Sequence, residues 1–450
     1  MHTARRLRAW STDTTNRQIV TVLGGHGLRL ALGLVSSALL ARGLGPQGLS
    51  LFSVVGATMM IAVTVADFGM NHSAVRFIAA DRAAAPAQAR QTVSVFARLK
   101  LLGALATFSI MIALSGPLAG LLNLPADSGP LLMFMAGLGL LATSLSGVLG
   151  TVLRALSRFG ALVLTQLFTI ALTILLVAAL YTAGRLEVVS ALAVGVAAAL
   201  ATAGLSYFLL PPSWRRAVRA SARLNSAAGR RLLTFSRWLW VSATLSILLV
   251  QLDLLLLNRW MPPLAVGVYA LALNLALKAD VFNQSLHTVL LPSASALSGR
   301  SAYLAYLRRG LARSLAMALP LVLALPLARP FIIAVYGPAY AESVGVFHIL
   351  MLVVLFDLLT TPVLLLAFPM DMPRLIAAAD ALRVLTLLGA SAALIPVWGL
   401  YGAAIAKLAA KVAGAALIVI AVAVRLRRAP GQAAPAPDGG MATPGVRRTR

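Results

Sequence analysis

Three cations stand far inside long apolar stretches of this chain: Arg29, Lys278 and Lys411. Holding such a charge in a hydrocarbon layer costs about 2.5 to 3.5 kcal/mol on insertion scales, so each is a functional candidate by default. The chemistry open to them is attraction of an anion inside a wet passage with low-dielectric walls. Arg29 shares a helical face with Gly25, His26, Gly33 and Ser36, a small and polar stripe suited to lining water. The segment from 264 to 290 is the most polar of the apolar stretches, and its polar groups fall on two faces. Asn274, Lys278 and Ser285 form one, and Asp280, Asn283, Gln284 and His287 form the other. The depth of Lys278 assigns its face to the passage and leaves the Asp280 face to hydrogen-bond with a neighbouring helix; the reverse assignment makes Asp280 a proton site. Lys407 and Lys411 share a face of a further segment, Lys411 near its middle and Lys407 nearer an end, where it can snorkel.

Asp253, Asp280 and Asp357 are the deep acids that could exchange a proton in a coupled process. For Asp253 and Asp357 the alternative is a hydrogen-bonding role at a helix junction. Asp380 and Arg383, three residues apart, are expected to pair, and Asp67 to serve at a helix end. His26, His287 and His348 have no metal-like spacing and read as polar packing residues. With no cysteine there is no disulfide or thiolate nucleophile, and neither a metal site nor a cofactor is expected.

The elements that position these groups follow from composition. Of 450 residues 60% are hydrophobic and 11% charged, and the mean hydropathy of +0.91 leaves too little polar surface for a soluble fold. The chain is read as all-α and integral to a membrane. Apolar windows of about 20 residues lie at 19–41, 49–69, 97–115, 130–153, 160–183, 187–210, 233–257, 264–290, 310–329, 343–368, 375–396 and 400–424, predicting twelve transmembrane helices. The first window is too long for a signal-peptide core and reads as a first span. The net charge of +26 would suggest nucleic acid in a soluble chain, but here it reports topology, and no nucleic acid is expected as a partner. Most of the basic residues, Lys100 among them, fall in alternate loops and at both ends, while the opposite loops hold only Arg42, Arg185, Arg259 and Arg329. Both termini are therefore placed in the cytoplasm. The organisation reads as a basic N-terminus (1–18), a first six-helix lobe (19–210), a basic linker (211–232), a second six-helix lobe (233–424) and a disordered Pro/Ala/Gly-rich basic tail (425–450).

The halves echo one another. Arg42-Gly-Leu-Gly-Pro46 recurs as Arg259-Trp-Met-Pro-Pro263, and LNLPADSGPLLMF recurs, more loosely, as VYGPAYAESVGVF at nearly the same offset. A parallel repeat about a pseudo-two-fold axis around a central cavity is expected. The stretches LLARGLGPQGLSLFSVV (39–55), ADFGMNHSAVRFIAA (66–80), QLDLLLLNRWMPPLAVGVYALALNLALK (251–278), VYGPAYAESVGVFHIL (335–350) and IPVWGLYGAAIAKL (395–408) resemble the bacterial polysaccharide exporters and lipid-linked-oligosaccharide flippases. These belong to the superfamily that also includes multidrug extruders and lipid II flippases. Gly25-His26-Gly27 has no counterpart in that pattern.

The resemblance implies a protein of the bacterial inner membrane whose two lobes open alternately to either side, carrying an undecaprenyl-diphosphate-linked glycan outward for O-antigen, capsule or exopolysaccharide. It also implies membrane lipid, and a polysaccharide polymerase or other assembly proteins, as partners. Arg29, Lys278, Lys411, Asn274 and Ser36 are the expected substrate-binding residues, with no catalytic residue. Two other readings remain open at this stage: a multidrug extruder, which would want an acidic cavity, and a membrane glycan polymerase or ligase, which would need a large outer surface.

Overall fold

The computed structural model describes residues 14–220, 226–295, 297, 299–370 and 372–428, with side chains at Leu28 and from Leu30 onward except at 292, 295, 373, 374 and 428. Among these residues there are helices and turns and no strand. In chain order the helices are α1 Thr14–Asp67, α2 Met70–Ala84, α3 Pro86–Ala113, α4 Ser115–Leu121, α5 Gly129–Ala155, α6 Phe159–Thr182, α7 Val188–Leu209, α8 Pro212–Arg219, α9 Ala227–Trp260, α10 Pro263–Ala279, α11 Val281–Ser295, α12 Arg300–Ala324, α13 Ala328–Tyr336, α14 Ser343–Leu365 and α15 Pro373–Arg428. Local chemistry sets many of the ends. Prolines occupy the first turn of α3, α5, α8 and α10, where a missing N–H costs nothing. Ser226 caps α9 by accepting from the Gly229 amide, and left-handed Asn123, Ser157 and Gly184 end the helices before them.

Among the described residues ten stretches are long and apolar enough to cross a membrane, where the sequence windows number twelve. The difference lies at two glycines. Leu30–Asp67 and Leu375–Arg427 each run through a non-helical residue, Gly45 (φ 63°) and Gly399 (φ 54°), where two helices join. The second junction is a hairpin: a Cβ placed on Gly402 would fall 2.2 Å from the Leu394 carbonyl oxygen, and one on Gly414 would fall 2.3 Å from Arg383 Nε. In a straight helix, residues as far apart as 383 and 414 would be separated by roughly 46 Å. The third span also differs from its window, since α3 begins at Pro86 and carries Arg90, Arg98 and Lys100 on the helix itself. The N-terminal residues 1–13, residues 221–225 of the basic linker and the tail from 429 lie outside the described residues.

Helix α10 is the centre of the molecule. Almost every residue from Ala265 to Ala276 is buried, and 61% of the most apolar 18-residue window of Pro263–Leu291 is enclosed against 11% for that of Phe159–Thr182, which lies at the periphery. Close approach is what fixes α10: a Cβ on Gly267 would sit 1.8 Å from the Pro46 carbonyl oxygen, so the two echoed hairpins pack backbone to backbone. At that end Arg42 Nε donates to the Val335 carbonyl (2.8 Å), Tyr340 to the Ala41 carbonyl (2.8 Å), and Asn123 to the carbonyls of Asn258 and Arg259 (3.0 and 3.1 Å). At the opposite end Ser73 and Ser236 hydroxyls lie 2.6 Å apart, Trp240 donates to the Val65 carbonyl, and Arg231 pairs with Asp81 at 3.2 Å. Gly69 (φ 68°) permits this second closure, because a Cβ there would meet the Ser236 carbonyl and the Trp240 amide at 2.7 Å.

Candidate functional site

Two regions of open space flank the α10–α11 unit. The first is a cavity of about 450 Å³ bounded by α1, α6 and the α10–α11 unit, lined by Gly33, Ser36 and Ser37, by Ile170 and Thr173, and by Asn274, Leu277, Lys278 and Gln284. The expected grouping of Ser36, Asn274 and Lys278 is therefore met in space, although Ser36 and Lys278 come from opposite halves of the chain. Gly33 leaves room for the lysine, whose Cε lies 3.6 Å from where its Cβ would be. Lys278 donates to Asn274 Oδ1, one turn earlier.

The second region consists of two adjoining cavities, about 210 and 550 Å³, that share Ser246, Asp357, Asp380, Arg383 and Lys411. Here charges come in pairs. Lys411 Nζ lies 2.6 Å from Asp357, and Arg383 lies 2.8 Å from Asp380, as the i, i+3 spacing predicts. Asp280 accepts instead from two amides, Asn283 at 2.9 Å and Gln284 at 3.4 Å. Of the four cations lining the cavities, Arg383, Lys407 and Lys411 each have a carboxylate within 4 Å, and Lys278 has none among the described residues. The first cavity is thus cationic, and the second is close to neutral.

Three expectations are corrected in whole or in part by this geometry, and at Asp253 it favours one of two open alternatives. Both polar faces of helix eight of the sequence reading are present, but each borders open space: Lys278 lines one cavity, while the Asp280 face lines another and also packs on α14, where Asn283 donates to the Val354 carbonyl at 3.2 Å. Lys407 does not snorkel but is buried, 2.8 Å from Asp253 and 3.0 Å from the Val250 carbonyl. Asp253 lines none of these cavities; it is fully enclosed, held by Lys407 and the Tyr269 hydroxyl, as a junction residue would be. Lys100, grouped with the loop cations in the sequence, is 3% exposed and sits 2.6 Å from both Asp67 and Asn71, with Thr151 donating to Asn71. Its signal in the sequence was a basic residue followed immediately by an apolar run, which spacing could not separate from a loop residue. His348 approaches the Leu325 carbonyl at 3.2 Å, consistent with polar packing, and His287 lines the larger neutral cavity. The Arg29 side chain, like His26, lies outside the described residues.

The described residues form helices with polar cavities on both sides of the central α10–α11 unit, and comparison narrows the class. Residues 17–298 match the model of the family described as polysaccharide biosynthesis protein, and the chain belongs to that family. None of the curated proteins matches it in sequence. Among solved structures it is similar to the lipid II flippase MurJ in an inward closed conformation, with a TM-score of 0.73 at 13% identity over 90% of this chain and 87% of that one. It is also similar to an inward-facing multidrug resistance MATE family transporter of the MOP superfamily, with a TM-score of 0.66 at 14% identity over 89% and 95%. A third is a MOP superfamily transporter from Pyrococcus furiosus, described as having reverse polarity of its binding pocket, with a TM-score of 0.58 at 16% identity over 92% and 96%. At these identities the likeness is one of fold.

Proposed function

We propose that this protein flips undecaprenyl-diphosphate-linked oligosaccharide or polysaccharide repeat units across the bacterial inner membrane by alternating access, with Lys278 accompanying the diphosphate. The observation that carries the reading is the lone ammonium in the α1–α6–α10 cavity. Among the described residues the other cations lining these cavities each have a carboxylate within 4 Å, so this is where an anionic headgroup replaces solvation that the membrane takes away. Ser36, Ser37, Thr173 and Asn274 supply hydrogen-bond partners around it. Arg29, one or two turns from Gly33 and Ser36 on the same helical face, is a second cation for the same diphosphate. Lys411, balanced by Asp357, takes a lesser part.

The remaining expectations belong to the same reading. Split at Gly45 and Gly399, the ten apolar stretches become twelve spans in two six-helix lobes with both termini cytoplasmic. Of the three acids considered for proton coupling, Asp280 is the one that accepts from amides rather than from an ammonium, so it is the acid we assign to that role. A multidrug extruder is disfavoured because two of the three acids lining the second region, Asp357 and Asp380, are matched by bases. A polymerase is disfavoured because the described connections on the hairpin side are short.

The test is flipping of a lipid-linked oligosaccharide in reconstituted vesicles. Losing a charge-assisted hydrogen bond costs about 1.5–3 kcal/mol, so Lys278→Gln should slow flipping by about ten- to a hundredfold at unchanged abundance, and Lys278→Arg should retain most of it. Full activity of Lys278→Gln together with Arg29→Ala would refute the assignment.

A further inference from the structure

The cationic cavity and the second region share walls. Leu277 lines both the 450 and the 210 Å³ spaces, and Gln284 lines both the 450 and the 550 Å³ spaces. Lys278 and Asp280, which mark the two sides, differ by only about 3 Å along the helix axis. A lipid whose diphosphate sits on Lys278 therefore holds its first sugars at the edge of the second region, a step that rests on the transport reading above.

The second region has the chemistry of a polyol site. Its larger cavity is lined by the amides of Asn283 and Gln284, the His287 ring and the hydroxyls of Thr288 and Thr361, and Phe368, half exposed, adds an aromatic ring. Sugar hydroxyls both donate and accept, as amides and hydroxyls do, and the C–H face of a pyranose packs on an aromatic plane. At about 550 Å³ the space falls within the size range of small-molecule sites.

The charges say which sugars fit. Lys411 is held by Asp357 at 2.6 Å and Arg383 by Asp380 at 2.8 Å, so the described lining of the larger cavity carries no net formal charge. Lys407, in the wall of the smaller cavity, is taken by Asp253. Asp280, when ionised, is an acid beyond these pairs. A carboxylate on an entering sugar would find every cation among the described lining residues already matched, and would add its charge to that of Asp280. Its lost hydration would go unreplaced. An uncharged sugar exchanges one set of hydrogen bonds for another and meets no such penalty.

We infer that the second region receives the glycan of the lipid-linked substrate and admits an uncharged repeat unit in preference to one bearing a uronic acid. The Asp357–Lys411 and Asp380–Arg383 pairs set that preference by cancelling the two bases.

The experiment compares two substrates in reconstituted vesicles: undecaprenyl diphosphate carrying an oligosaccharide of neutral hexoses, and the same lipid with one hexose replaced by its uronic acid. One uncompensated charge at a few ångströms is worth more than about tenfold in equilibrium at protein dielectric. The wild type should therefore flip the neutral substrate at least about tenfold faster. Asp357→Asn, which frees Lys411, should bring the ratio toward one or reverse it, and Asp380→Asn, which frees Arg383, reads the same effect from an independent pair. Lys278→Gln should slow both substrates and leave their ratio unchanged, because it acts on the diphosphate they share. Equal rates for the two substrates in the wild type, or an unchanged ratio in both aspartate variants, would overturn the proposal and leave the transport reading in place. A wild type that moves neither lipid would overturn both.

Discussion

Lys407 and Asp253 form an ion pair with side chains 8% and 0% exposed, completed by the Tyr269 hydroxyl. Removing one partner of a buried pair leaves a naked charge and costs about 3–5 kcal/mol, whereas replacing both with apolar groups is often neutral. Lys407→Met should lower the unfolding temperature of the purified protein substantially, and the double variant Lys407→Met/Asp253→Leu should recover most of the loss. If the double variant transports normally as well, Asp253 has no part in coupling. If it folds but no longer responds to a proton gradient, Asp253 rather than Asp280 carries the proton. The Asp357–Lys411 pair differs in kind, because both side chains are about a quarter exposed toward the cavities, so its disruption should show in transport more than in stability.

Among the elements, α10 carries the tightest constraint. Because the Gly267 Cβ position is occupied by the backbone oxygen of Pro46, Gly267→Ala cannot be absorbed by a rotamer change and must push two hairpins apart. It should reduce folded yield in the membrane and lower the unfolding midpoint by the equivalent of at least about 1–3 kcal/mol. Gly195→Ala in α7, with nothing within 4 Å of the added carbon, serves as the control and should leave the midpoint unchanged or slightly higher. Two residues apart on the α10–α11 unit, Lys278 and Asp280 point to opposite sides and so reach separate cavities.

At the scale of the molecule, the two halves are tied at both ends, by the hairpins around Arg42, Asn123, Asn258 and Tyr340 at one and by Ser73, Asp81, Arg231 and Ser236 at the other. Alternating access requires each set to part in turn. The chain has no cysteine, so a Ser73→Cys/Ser236→Cys pair would be its sole thiols, placed where two oxygens now lie 2.6 Å apart. Oxidation should arrest flipping in vesicles and reduction should restore it. Undiminished flipping by the fully oxidised protein would show that this end does not need to open.

Hydropathy and charge alternation determined the membrane class and very nearly all of the spans, because burying backbone in lipid demands long apolar helices whatever the tertiary fold. Of the two places where window and helix disagree in number, Gly45 falls in the Gly- and Pro-containing hairpin that the sequence marked, whereas Gly399 falls in the gap between the last two windows, which no hairpin motif marked. Helical spacing likewise brought Ser36 and Gly33 to one face, and Asn274 and Lys278 to another, and paired Asp380 with Arg383. It could not tell which cations would remain free. Lys278, Lys407 and Lys411 are equivalent as charges in apolar stretches, and what separates them is a carboxylate from a distant helix: Asp253 for Lys407, Asp357 for Lys411 and, among the described residues, none for Lys278. Electrostatic neutralisation acts over a few ångströms in space, and only the packing of α9, α10, α14 and α15 decides who stands within that range.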